Sequence, residues 1–323
     1  MTISTYKITA PTRSTMFLND LTVVDHAYID DKGCIVGGSF NPCFEVSGTP
    51  DPIEKVVVDF STIKKDIKEA IDGHSFNIDN NGFDHKVWII EGYSNITAVR
   101  MMGNMVTDNE VTIVTPTMTL TLPGDAVKMI SQVDDVTPHY TPSYIGLAFE
   151  AHVYAHLEKL YPNINVGVKC INSEHIHTPT STINHNAYRF RYVHGLKDST
   201  SYGCKNIAHG HGSFISSDSD PNGLLELIAR ELDNTIFVRS DNIKQVIQSQ
   251  GETTLTIGYD SPRGLFEMVV EAQSHKIVVL NTETTVEYLA SYVKERFGSL
   301  MKASDMSSFC ISEGLSKGAI ETL

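Results

Sequence analysis

The chain has 323 residues, 41% hydrophobic and 20% charged, with a formal net charge of −14. Its length suggests about two domains of ordinary soluble composition. The acidity argues against a nucleic-acid partner, which needs a basic face to displace phosphate counterions, and no apolar run of about 18 residues is present to form a membrane helix.

The five cysteines, Cys34, Cys43, Cys170, Cys204 and Cys310, are scattered and form no CxxC pair. With an N-terminus (MTISTYKITAPTRST) that lacks an apolar leader core, this predicts a cytoplasmic protein with free thiols.

In chain order, the first clear helix is TIKKDIKEAID, where Ile63, Ile67 and Ile71 recur at i, i+4 and i+8 on one face. GFDHKVWI follows at 82–89, then EVTIVTPTMTLTLPGDAVKMI at 110–130, which alternates apolar and β-branched residues around turn residues and reads as a hairpin. A second helix is expected from Pro142 to Pro162, then a strand, NVGVKCINSEHIH.

A similar series recurs. ELDNTIFV at 231–238 precedes a second hairpin-like segment at 255–280, the helical stripe Val286, Leu289, Ala290, Val293 and Phe297, and the strand SSFCISEGLSKG. Thr284 and Glu287 have capping-box spacing at the start of that stripe, and Gly298 can end it. Asp84, Leu147 and Glu174 lie 63 and 27 residues apart, and Asp233, Leu289 and Glu313 lie 56 and 24 apart. Matching order and spacing predict a duplication with its seam near residues 178–186.

The chemistry concentrates in the second half. On a strand, residues i and i+2 share a face, so His209 and His211 of AHGHGSFI can reach one metal ion. Gly210 faces the other way and leaves room for close backbone approach. His194 of FRYVHGL completes three imidazoles, the ligand set of a catalytic zinc with an open fourth position. Cys204 lies between them, where it can serve as a nucleophile or proton carrier. His152 and His156 have zincin spacing but no intervening glutamate, and read as helix-face residues. His175 and His177 lack a third partner and read as surface residues.

FRYVHGL, then a cysteine, then HGH resembles the zinc signature of the 6-pyruvoyl-tetrahydropterin synthase family and its queuosine-pathway relative, 6-carboxytetrahydropterin synthase. KVVVDFSTIKKDIKEAID is similar to the family's VxDFxxLK segment, GFDHKVW to its LDHxxLN motif, and TTVEYLASYV to its PTxENLA helix. The resemblance implies an α+β chain of two tandem tunnelling-fold domains, antiparallel sheets with helices on one face. An extension would occupy 1–14, the first repeat 15–180 and the second 186–323.

It further implies Zn2+ on His194, His209 and His211, proton transfer by Cys204 and the Asp84–His85 pair, and pterin anchoring by Glu174 and Glu313. Two carboxylate oxygens match the pterin 2-amino and N3–H donors. The implied substrate is 7,8-dihydroneopterin triphosphate, bound between subunits of a ring-like homo-oligomer, a trimer or a dimer of trimers.

Neither half carries the full set. In the first, His26 of VVDHAYI is expected to match the first ligand, but Val36 and Gly38 occupy the HGH positions, and Cys34 has no metal ligands beside it. In the second, the Asp–His pair is Asp233–Asn234, and asparagine cannot titrate. The losses are complementary, predicting one composite site in which the second half gives zinc and Cys204 and the first gives Asp84–His85. The expected product is 6-carboxy-5,6,7,8-tetrahydropterin. The alternatives are 6-pyruvoyl-tetrahydropterin formation and a non-catalytic pterin-binding or structural protein. His194 to Asp233 spans 39 residues against 58 from His26 to Asp84, so the second half is expected to lack a strand and part of its first helix.

Overall fold

The computed structural model describes residues 11–73, 82–102, 110–133, 135–171, 186–195, 209–220, 222–261, 264–315 and 317–323. The expected seam lies almost wholly outside them, as do Cys204, Glu174, His175 and His177.

The first half opens with β1 (Ser14–Leu18), β2 (Val24–Ile29), the long β3 (Ile35–Gly48), α1 (Phe60–Asp72) and β4 (Val87–Ile90). Next come β5 (Ala98–Met102), β6 (Glu110–Val114), β7 (Met118–Pro123), β8 (Val127–Ile130), α2 (Pro142–Leu157) and β9 (Ile164–Ile171). The second half contains β10 (Ala187–His194), β11 (His209–Ser216), α3 (Leu224–Leu232), β12 (Thr235–Arg239), β13 (Ile243–Ser249), β14 (Glu252–Ser261) and β15 (Gly264–Glu271). It ends with β16 (Lys276–Leu280), α4 (Val286–Ala303), β17 (Ser308–Glu313) and β18 (Lys317–Thr322).

Local signals explain the helices. Asp59 caps α1 by accepting from Thr62 N–H, the predicted isoleucine stripe is fully buried, and Gly73 ends the helix at positive φ. Thr141 caps α2 in the same way, with Pro142 at the first position. The capping box expected at Thr284 does not form. The N-cap of α4 is Thr285, without a side-chain bond, and Thr284 is buried on other duty.

One sheet runs β8-β4-β2-β3 with β1 and β9 on either side of the far end of β3; another runs β16-β12-β10-β11-β17-β18. The central strand orders correspond one to one. The sheets are mixed, not antiparallel as expected: β2 pairs β4, β4 pairs β8, β10 pairs β12 and β12 pairs β16 in parallel. β2 reaches β4 through β3 and α1, and β4 reaches β8 through the β5–β7 strands; the second half repeats both routes, and each such long connection lets the paired strands run parallel. The second half also retains its first helix, as the nine-residue α3 against thirteen residues in α1. β3 is also longer, 14 residues against 8 in β11, and residues 73–83 separate α1 from Asp84 where α3 runs directly into Asp233.

Each segment read as a hairpin contains one, β6–β7 and β14–β15; with β5 and β13 they extend to three-stranded meanders, and the meanders join. β7 pairs β15 antiparallel, so β13-β14-β15-β7-β6-β5 is one continuous sheet built from both halves. It covers a shared core in which Ala27, Ile29 and Val87 meet Val193, Ile236 and Val238 beneath Leu120, Phe266 and Met268. Two further cores lie under the helix pairs, one in each half. Among the described residues no helix is long and apolar enough to cross a membrane.

The halves also approach backbone to backbone where β3 crosses β11. A Cβ on Gly37 would lie 2.1 Å from the Tyr192 carbonyl oxygen and 2.7 Å from His211 N; one on Gly210 would lie 2.6 Å from Gly37 Cα. Both positions meet backbone, which cannot rotate away. Gly37→Ala is therefore expected to cost about 1–3 kcal/mol through forced separation of the strands, measured as a lower urea midpoint at unchanged slope.

Candidate metal centre

The β10–β11 register sets His194 opposite His209 and Tyr192 opposite His211. All three histidines are fully buried, and one ring nitrogen from each lies within 4.8 Å of the others. His194 Nε2 and His211 Nε2 are 3.1 Å apart. Two nitrogens bound tetrahedrally to one ion at about 2.0–2.1 Å would be separated by about 3.3 Å. The donor set and spacing thus fit a metal ion.

Hydrogen bonding assigns the tautomer of His194. Thr284 Oγ1 donates to the Gly195 carbonyl at 3.1 Å, so it accepts from His194 Nδ1 at 3.2 Å and leaves Nε2 facing the centre with a lone pair. Burial pushes the pKa values of His194 and His209 well below the ordinary imidazole value, with His211 adding to the effect. Both rings are neutral at pH 7, as metal ligation requires.

The N-terminal half supplies the wall opposite. Asp84 Oδ1 accepts the Asp25 backbone N–H at 2.9 Å, and its Oδ2 lies 3.1 Å from His85 Nε2. His85 sits at φ 54°, a left-handed conformation that histidine adopts more readily than most side chains. This turn carries its ring to the triad, with Nδ1 3.1 Å from His209 Nδ1. Burial pushes the Asp84 carboxyl well above the usual carboxylate range, and Asp25 reinforces the rise. Glu313 Oε1 lies 3.7 Å from His211 Nε2, while Oε2 is 3.3 Å from Lys317 Nζ. The structure therefore brings His194, His209, His211, Asp84, His85 and Glu313 together.

The matched junction is different. Arg191 N–H donates to Asp233 and receives the Asn234 N–H on its carbonyl, repeating the pattern of Asp25 with Asp84 and His85. This register matches Tyr28 to His194, and Val36 and Gly38 to His209 and His211. His26 therefore matches Tyr192, not the first ligand as expected; the alignment was displaced by two residues, one full side-chain period. His26 is buried, stacked on Trp88 at 3.4 Å and bonded to Tyr140 OH at 2.8 Å, and burial lowers its pKa to about 3. The Tyr140 hydroxyl occupies the notch at Gly38, where a Cβ would lie 1.9 Å from it. Aromatic packing fills this junction, and an Arg191–Asp233 pair at 3.0 Å closes it.

Some solved structures are similar to this chain at low sequence identity. Two of them are 6-pyruvoyl tetrahydropterin synthases. The one from Plasmodium vivax has a TM-score of 0.35 and 14% identity, over 51% of this chain and 94% of its own. The one from Plasmodium falciparum has a TM-score of 0.32 and 13% identity, over 50% of this chain and 100% of its own. An uncharacterised protein from Wolinella succinogenes has a TM-score of 0.27 and 16% identity, over 42% and 94%. The chain matches no family model and no curated protein.

Sequence reasoning missed Asp25, Ser39, Thr284 and Lys317. An acid inside the apolar strand VVDHAYI was the available signal for Asp25, and the motif TTVEYLA for Thr284. The other histidine pair behaves as expected: His152 bonds the Ala70 carbonyl at 3.1 Å and meets Phe83 edge-on, away from the centre.

Proposed function

We propose that the chain is a tandem duplication of the tunnelling fold. In this reading it is a zinc-dependent lyase that converts 7,8-dihydroneopterin triphosphate to 6-carboxy-5,6,7,8-tetrahydropterin at one composite site. The observation that carries the reading is the approach of His85, from one half, to within 3.1 Å of His209, from the other. It supports the division of labour that the complementary motif losses suggest.

His194, His209 and His211 would hold the ion, which would supply polarisation of the substrate's side-chain hydroxyls. His85 Nε2–H donates to Asp84, leaving Nδ1 as the basic atom turned toward the triad. With the Asp84 carboxyl raised by burial, the couple can keep a proton on either member. Glu313 would receive the pterin 2-amino and N3–H donors, exchanging its contact with Lys317 for them. Cys204 is assigned as a further proton carrier, and Glu174 as the matching pterin anchor of the first half. Homo-oligomer formation in the cytoplasm, as a trimer or a dimer of trimers, belongs to the same proposal.

The test is incubation of the zinc-loaded chain with 7,8-dihydroneopterin triphosphate, followed by product mass. The expected result is the 6-carboxy product with loss of triphosphate. A 6-pyruvoyl product would move the chain to the sister reaction, and unchanged substrate with zinc bound would leave a binding protein.

A further inference from the structure

A metal-bound imidazole is fixed in tautomer and orientation by what its second nitrogen donates to. Thr284 serves His194 in this way. His211 has no such hydroxyl: its Nδ1 is buried without a hydrogen-bond partner among the described residues. Asp25 Oδ1 stands 3.4 Å away, just beyond hydrogen-bond length, and it belongs to β2, in the other half of the chain.

Asp25 is itself closely held. It is 3% exposed, and a buried carboxylate is costly unless it has partners. Ser39 Oγ donates to Oδ1 at 2.5 Å and accepts from the N–H of Gly212, the residue after His211, at 3.0 Å. Lys317 Nζ lies 3.7 Å from Oδ2. The turn after β17 closes over the group at Gly314, where φ is +67° and a Cβ would lie 2.4 Å from Oδ1, so both dihedral and space require glycine.

The matched junction supplies the contrast. Where no imidazole triad exists, the residue at this position is Arg191, paired through Nε and Nη2 with Asp233 at 3.1 and 3.0 Å. Among the described residues, this position holds a buried carboxylate at the junction with the imidazole triad and an arginine at the other.

We propose that Asp25, held by Ser39, is a positioning residue for the metal ligand His211: it accepts a hydrogen bond from Nδ1–H and turns Nε2 to the ion. The N-terminal half then contributes to metal binding without contributing a ligand. This inference rests on the reading of the three histidines as a metal site.

The test uses the full chain loaded with Co(II), a probe whose absorption reports ligand geometry, with affinity read by competition against a chromogenic chelator. Asp25→Asn keeps the volume and removes the charge. It is expected to weaken Co(II) binding about 10–100-fold and to alter the visible spectrum. Ser39→Ala, which leaves the carboxylate in place but frees it, is expected to change both in the same direction by less, and serves should Asp25→Asn not fold. Arg191→Gln, which breaks the matched pair, is expected to leave affinity and spectrum as in the parent. Wild-type affinity and spectrum in folded Asp25→Asn or Ser39→Ala, with His211→Ala losing the metal, would overturn the inference alone. An equal loss in Arg191→Gln would overturn it by showing a general effect of the interface. A parent chain that takes up neither Co(II) nor zinc would overturn the metal reading itself.

Discussion

Replacing His209 with alanine is expected to abolish tight metal binding, lowering affinity by more than about 100-fold, because one of three ligands is lost outright. The ring is buried between His85 and His211, with centroids at 4.4 and 4.3 Å. Its removal leaves a cavity as well as an incomplete ligand set, so a stability loss of about 1–3 kcal/mol is expected in the metal-free protein. Metal content after dialysis, with urea unfolding of the metal-free form, separates the two effects. Unchanged metal retention would remove His209 from the ligand set.

The second large effect is expected at His85. His85→Ala should lower turnover of 7,8-dihydroneopterin triphosphate by about 10²–10⁴-fold while zinc content stays as in the parent. The residue lies at the rim of the triad, and its partner Asp84 holds the ring through Nε2 at 3.1 Å. His85→Asn is the more telling change, because asparagine is the residue at the matched position 234, where φ is 61° against 54° at His85. Asparagine tolerates that backbone, so the variant should fold with its metal centre intact and lack only the titrating atom. Steady-state turnover measured beside metal content checks both variants. Full turnover in either would refute the division of the site between halves.

The sequence made the site more legible than the fold. His194, His209 and His211 could be assembled because strand alternation is a strict rule, and Gly210 could be read as a close-approach residue for the same reason. The α1 and α4 stripes were equally plain. The parallel pairings and the continuous sheet made by β7 and β15 were not, because partner choice between distant strands leaves little trace in local periodicity. The displaced reading of His26 arose because VVDHAYI and FRYVHGL each hold one histidine, and only the register of β2 against β4 shows that Tyr28 matches His194. Asp25 and Ser39 escaped notice, and Thr284 was read as a helix cap, because a polar residue that steadies a ligand carries no spacing rule of its own; its role exists only once distant segments are folded together.

The most direct measurement is the metal stoichiometry of the purified full chain after zinc loading and removal of loosely bound ion. One triad among the described residues, with the matched junction filled by Tyr28, Val36, Tyr140 and the Arg191–Asp233 pair, predicts about one zinc per chain, lost in His209→Ala. A value near zero, or near two, would contradict the account.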